Sequence, residues 1–219
     1  MYYTNLLNIK RSYKVLEIGP GGVPYWRSDV LADKYDNTDK VIPGTFGGQK
    51  HDTKGKPFYK IADNRLPFHD KEFDYIICSH VMEHIPEDEL EEFCNEVFRV
   101  ASLAYIEFPA PLYDIIFNFR AHLNLLFIQS SGVHCLPKKY ADIDRYSSYF
   151  NKLFKDGLIS SSNRYKQHFT SGKEFSSNNF ELILYDNAEK FFTALSQNDY
   201  IPTKPGIIRK LYTKFRSLR

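Results

Sequence analysis

Residues 78–90 read CSHVMEHIPEDEL, and the two ways of reading them lead to different folds. His80, Glu83 and His84 stand in the order H-x-x-E-H, in which two histidines on one helical face can bind zinc beside a glutamate base. That chemistry needs a helix through all five residues. The run just before, FDYIICS at 73–79, is apolar and reads as a buried strand. Pro86 follows two residues after His84 and disfavours helical geometry at Ile85. The motif therefore falls on a strand end and a turn, where the two imidazoles need not converge. No second cluster of His or Glu announces a third ligand, so no metal is expected. A strand end has its own meaning, because open α/β sheets bind ligands at the carboxyl ends of their strands.

Working outward, YKVLEI at 13–18 is a short buried run that stops at the glycine turn GPGG. VLAD at 30–33 follows so soon that any first helix must be short. Residues 34–57 are polar, with four glycines and two prolines, and read as a long loop. FYKIAD at 58–63, FDYIICS and AYIEFP at 104–109 complete five strands. PEDELEEFCNEVFRVA at 86–101 is a helix with proline at its start, acids in its first turn and one apolar stripe. Strands alternating with helices and loops predict an α/β fold: a Rossmann-like, mostly parallel sheet with flanking helices. After Pro109 the texture changes. LNLLFI and VHCL flank a Ser-Ser-Gly turn, FELILY at 180–185 is one more strand, and an α+β extension on the substrate side is expected. The chain thus divides into a core at 1–110, an extension at 111–200 integrated with it, and a C-terminal segment at 201–219.

Composition narrows the function. The net charge of +2 shows no excess that points to nucleic acid. Three cysteines without framework spacing read as reduced thiols, and the N-terminal residues MYYTNLLNIKRSYK contain no apolar run of a signal peptide, so a cytoplasmic location is expected. In residues 203–219, six apolar side chains from Ile207 to Leu218 recur at helical spacing among lysines and arginines. Such a helix packs on a domain with a solvated basic face, or lies on the inner membrane surface as a peripheral contact.

The strand ends collect one set of polar residues: Glu17 with Gly19, Pro20, Gly21 and Gly22, then Asp33, then Asp63 and Asn64, then Ser79 and His80, then Glu107. A pyrophosphate is disfavoured here. The third glycine of a dinucleotide loop would fall on Pro24, and Glu17 would repel phosphate while suiting an ammonium group.

On these residues the chain resembles the class I S-adenosylmethionine-dependent methyltransferases, in particular the type 11 branch. VLEIGPGG is similar to their glycine motif, IADNRLPFHDKEFDYIICSHVMEHIPE to the stretch from the adenine-binding acid into the fourth strand, and AYIEFP to the fifth strand. The resemblance covers about residues 13–110, with Val23 where the family's last glycine stands. It implies S-adenosylmethionine as cofactor. Glu17 and Gly19 to Gly22 would hold the methionine portion, Asp33 the ribose, Asp63 and Asn64 the adenine, with Ser79 and His80 at the reacting end. It also implies transfer to a small molecule, with O-methylation of a sugar unit in surface-glycan synthesis as the expectation. His80, then His122, then Glu107 are the candidate bases. The competing readings are a binding module without catalysis and a zinc hydrolase. Cys78, His134 and Cys135 read as packing, and Glu83 and His84 as residues that fix the turn.

Overall fold

The computed structural model describes residues 7–36, 52–62, 65–144 and 170–197. Among the described residues there are nine strands. β1 (Val15–Ile18), β2 (Val30–Asp33), β3 (Phe58–Lys60), β4 (Phe73–Ser79), β5 (Ala101–Pro109) and β8 (Thr170–Ser176) form one sheet in the order β3-β2-β1-β4-β5-β8. Its first five strands are parallel, and β8 runs antiparallel to β5 along the edge. β1 and β4 are mainly apolar, and most of their residues are buried, Glu17 of β1 included, as in strands covered on both faces. A second sheet joins β6 (Asn124–Gln129), β7 (Gly132–Pro137) and β9 (Glu181–Leu184), the first two as a hairpin across Ser130 and Ser131.

Helix α1 (Glu87–Val100) buries Leu90, Phe93, Cys94 and Val97 against the sheet, and β5 begins at the very next residue. The chain reverses there without a loop because Lys71 and Arg99 do a loop's work. Lys71 Nζ donates to the carbonyls of Phe98 and Ala101, and Arg99 donates to those of Leu66 and Phe68. Two further helices, α2 (Pro111–Phe117) and α3 (Ala188–Ser196), flank the second sheet. Asn118 ends α2 in the left-handed conformation, at φ +42°.

The region after residue 110 returns to the main sheet as β8, and Leu126, Ile128, Val133 and Cys135 of the hairpin share a core with β1, β4 and α1. One sequence expectation changes: the short first helix is replaced by turns over residues 19–29. Its backbone groups are satisfied by side chains instead. Glu17 Oε2 accepts from the Tyr25 amide and the Ser28 hydroxyl, and Lys56 Nζ donates to the carbonyls of Tyr25, Trp26 and Ser28. Arg27 donates to the carbonyls of Lys10, Arg11 and Tyr13. The basic segment at 201–219, and with it the expected membrane contact, lies outside the described residues. No helix among the described residues is long and apolar enough to cross a membrane.

Cys78, Cys94 and Cys135 are all buried free thiols. Burial pushes the Cys94 thiol up to about 12 and carries those of Cys78 and Cys135 upward too. The thiolate is the reactive form. A disulfide reagent at pH 8 should therefore leave the native protein unlabelled over minutes and titrate all three thiols at once in denaturant. Rapid labelling of the native protein would contradict this packing.

Candidate active site

The site is built where β1, β2 and β4 end side by side. After β1 the chain must turn sharply, and Gly19 and Gly21 adopt positive φ, at +66° and +60°. Gly19 donates to the Ala32 carbonyl at the end of β2, at 2.9 Å. A Cβ built on Gly19 would overlap Val81 Cγ2, so this glycine lets the β1 turn and the β4 turn approach closely. A Cβ on Gly21 would meet nothing within 4 Å. Glu17 is buried below this turn, and both of its hydrogen bonds fall on Oε2. Burial pushes its carboxyl up from the ordinary value, against the opposing hydrogen bonds from Ser28 and Tyr25. Asp33 closes β2, and its Oδ1 accepts from the Tyr35 amide at 3.1 Å. Asp63 and Asn64 lie outside the described residues.

At the end of β4 the chain passes through His80 at φ +58°, a strained region that histidine tolerates better than most side chains. Met82–His84 then make a single 3-10 turn before Pro86 opens α1. The H-x-x-E-H residues thus share no helix; His80 Nδ1 and His84 Nε2 approach Glu83 Oε1 at 3.1 and 4.0 Å. His80 Nδ1 meets Glu83 Oε1 at 3.1 Å, and its Nε2 is 3.6 Å from Glu107 Oε1. Both nitrogens of His80, the first candidate base, are turned towards carboxylates, and the ring is 29% exposed. Glu107, the third candidate, is fully buried and accepts from the Ser79 hydroxyl at 2.7 Å and the Tyr105 hydroxyl at 2.7 Å. That places it in a supporting network and commits the Ser79 hydroxyl to it as well.

His122 sits in the loop between α2 and β6. That loop is fastened to the β4 turn by three hydrogen bonds: the Leu123 amide to the Glu83 carbonyl at 2.6 Å, and Asn124 Nδ2 to the carbonyls of Met82 and Ile85. His84 Nδ1 adds a fourth, to the Ala121 carbonyl at 2.8 Å. The rings of His84 and His122 meet edge to face, with centroids 4.9 Å apart. His122 Nδ1 lies 3.0 Å from both oxygens of the buried Asp114 on α2, and Lys138 Nζ stands 3.5 Å from the same carboxylate. The ligand atoms of Glu83, His84 and His122 lie within 4.8 Å of one another. Sequence reasoning found no third partner for Glu83 and His84, because none lies nearby in the chain. The eight-residue step from Asp114 to His122 crosses a helix end and has no period that a sequence pattern reveals.

Beside this cluster runs a groove of about 1200 Å³, lined by Asn118, Arg120, His122, Asn124, Lys138 and Asp142 among others. His134, by contrast, stacks on Phe127 at 4.4 Å in the second sheet, a packing role. Burial pushes its pKa down.

Comparison with known proteins adds a family. Residues 47–102, from the loop before β3 to the start of β5, match the family model described as "Methyltransferase domain". No curated protein matches the chain in sequence. Among solved structures, the PH0226 protein from Pyrococcus horikoshii is 16% identical, with 80% of this chain and 87% of that chain covered and a TM-score of 0.47. The YcgJ protein from Bacillus subtilis is 16% identical, with 72% and 81% covered and a TM-score of 0.38. A SAM-dependent methyltransferase from Methanosarcina mazei is 19% identical, with 50% and 57% covered and a TM-score of 0.34. The matched residues carry the β4 end and α1, on a parallel sheet whose order reverses between β1 and β4. Over residues 47–102, the end of the loop before β3 through α1, the chain is thus similar to a methyltransferase domain.

Proposed function

We propose that the chain transfers a methyl group from S-adenosylmethionine to a hydroxyl of a small polar molecule, a sugar unit being the acceptor class that fits best. The observation that carries the reading is a polar groove at the start of α1, lined by the loop that docks on the β4 turn. Asn, Arg, Lys and Asp side chains line that groove and suit a hydroxyl-rich acceptor. The cofactor residues follow from the strand ends. Glu17 Oε1, which accepts no hydrogen bond from the described residues, suits an ammonium group, Gly19 to Gly22 would pass close to the ligand, and Asp33 would take the ribose side. Asp63 and Asn64 keep the adenine role that the resemblance implies. His80 walls the reacting end.

When bound, the cofactor supplies a methyl on a positively charged sulfur. The acceptor oxygen would take that methyl, with S-adenosylhomocysteine as the leaving group. The chain's own contribution is to align the acceptor. The acceptor's hydroxyl proton would pass to a base on the groove side, where His122 is the candidate base that lines the groove.

Calorimetric titration with S-adenosylhomocysteine tests the cofactor reading, followed by a methyl-transfer screen against sugars and lipid-linked sugars. Failure to bind S-adenosylhomocysteine would sink it. Glu17→Gln should weaken binding about 10- to 100-fold, the loss of one charge-assisted hydrogen bond. The same variant should fold well, since its amide oxygen can accept from Tyr25 and Ser28. The pH dependence has a defined sign. Glu17 has a folded pKa raised above 4.5, so its contribution to stability is present below 4.5 and is lost as pH rises through the folded value. Glu17→Gln has no such dependence. Its stability relative to the native chain should therefore be higher at pH 7 than at pH 4.5, as read from denaturant midpoints at the two values.

A further inference from the structure

We propose that Glu83, His84 and His122 bind a divalent transition-metal ion at the edge of the groove. The site does not depend on the methyl-transfer reading.

Three observations carry it. First, one ligand atom from each residue lies within 4.8 Å of the other two. Ligands 2.0–2.2 Å from a common ion sit about 3.4 Å apart in a tetrahedron, so small rotations of two rings close the site. Second, both imidazoles are already set up as ligands. The Ala121 carbonyl can only accept, so His84 carries its proton on Nδ1, and Nε2 keeps its lone pair. Asp114 fixes His122 in the same way through Nδ1, and Lys138 steadies Asp114 from behind. Ligating histidines show this arrangement: a carbonyl or carboxylate on one nitrogen orients the ring and makes the other more basic. Third, Glu83 is 1% exposed, and its Oε2 is buried with no hydrogen-bond partner among the described residues. A buried carboxylate oxygen left unmatched is costly, and a cation beside it removes the cost.

Two imidazole nitrogens and one carboxylate suit zinc, iron(II), cobalt(II) or manganese(II) better than calcium or magnesium, which prefer all-oxygen sites. Three protein ligands leave coordination positions open, and His122 lines the groove, so those positions serve an acceptor there. An ion lowers the pKa of a bound hydroxyl or water, which supplies the deprotonation that neither His80 nor Glu107 is placed to perform. This last role does rest on the methyl-transfer reading. The sequence reading rejected zinc because H-x-x-E-H lacked its helix. The structure replaces His80 by His122, which reaches His84 through the tertiary fold.

The test uses the full chain, stripped with a chelator. Zn²⁺ and Mn²⁺ are titrated by calorimetry, and Co²⁺ by its visible absorption. One equivalent should bind, with cobalt bands characteristic of nitrogen and oxygen ligands. His84→Ala and His122→Ala should each weaken binding at least 100-fold. Asp114→Asn should weaken it about 10- to 100-fold with the stoichiometry kept, as expected of a positioning residue. S-adenosylhomocysteine binding by the same variants reports whether they fold. Should they not fold, nitrogen-15 resonances of the native histidines decide: Zn²⁺ should shift Nε2 of His84 and His122 and leave His134 unmoved. The site is overturned if the native chain binds none of the three ions, if both histidine variants bind undiminished, or if Zn²⁺ leaves the His84 and His122 resonances in place. Ion binding without S-adenosylhomocysteine binding would keep the metal site and sink the cofactor reading instead.

Discussion

Gly19→Ala is expected to cost the fold about 2–5 kcal/mol and to weaken S-adenosylhomocysteine binding at least tenfold. Two terms add. The residue sits at φ +66°, where an L side chain costs roughly 1–2 kcal/mol. The new Cβ also overlaps Val81 Cγ2, and forced overpacking costs roughly 1–3 kcal/mol. Relief of the overlap pushes the β1 turn away from the β4 turn, so the glycine turn and His80 lose their spacing. The two terms are separable. In Gly19→Ala/Val81→Ala the overlap is gone and the φ cost remains. The double variant should recover about half of the lost stability relative to the sum of the singles, a coupling that a double-mutant cycle measures directly. Additive effects would mean that the two turns do not touch.

Glu107→Ala is expected to be the most destabilising single change around the site, at about 3–5 kcal/mol, by the rule for removing one partner from a buried polar network. Glu107 is fully buried, and the hydroxyls of Ser79 and Tyr105 both donate to it. His80 Nε2 stands 3.6 Å away. Alanine removes the acceptor of two hydroxyls and opens a cavity between β4 and β5. For a chain of this size, 1 kcal/mol shifts the melting temperature by roughly 2–4 °C, so a fall of about 6–20 °C should appear in a thermal scan. Glu107→Gln keeps an acceptor oxygen for one hydroxyl, and the other can turn to accept from the amide. It should cost under about 2 kcal/mol. An equal loss in both variants would show that the charge, and not the hydrogen-bond count, matters here. A melting temperature unchanged in Glu107→Ala would remove Glu107 from the supporting network.

These two predictions draw on different layers of information. Gly19 and Glu107 were visible as strand-end residues in the sequence, because strands β1, β2, β4 and β5 are short apolar runs whose ends are marked by Gly, Asp, Ser and Glu. A buried parallel strand needs near-continuous apolar residues, so local composition was enough to place β2 and β4 to the residue. The failed helix of H-x-x-E-H was legible for a similar local reason: an apolar run before the motif and a proline after it. The roles of the same residues were not legible. Whether Glu107 faces solvent as a base or is sealed by Tyr105 depends on β8 covering β5, and β8 is separated from β5 by about 60 residues of chain. Its sequence, TSGKEFS, has no apolar alternation; the strand forms because β5 offers it an edge. The turn that replaces the first helix is likewise tertiary, since its backbone groups are satisfied by Glu17 before it and Lys56 well after it.

The cluster of Glu83, His84 and His122 shows the division most sharply. The sequence determined that Glu83 and His84 stand on a turn at a strand end, because a 3-10 turn and its proline stop are local matters. It could not bring His122 to them. That meeting depends on Leu123 and Asn124 docking on the carbonyls of residues 82–85, and on Asp114 of α2 orienting the ring. Hydrogen bonds between segments 40 residues apart leave no periodic trace in a sequence, since each partner is an ordinary polar residue until the fold closes the distance.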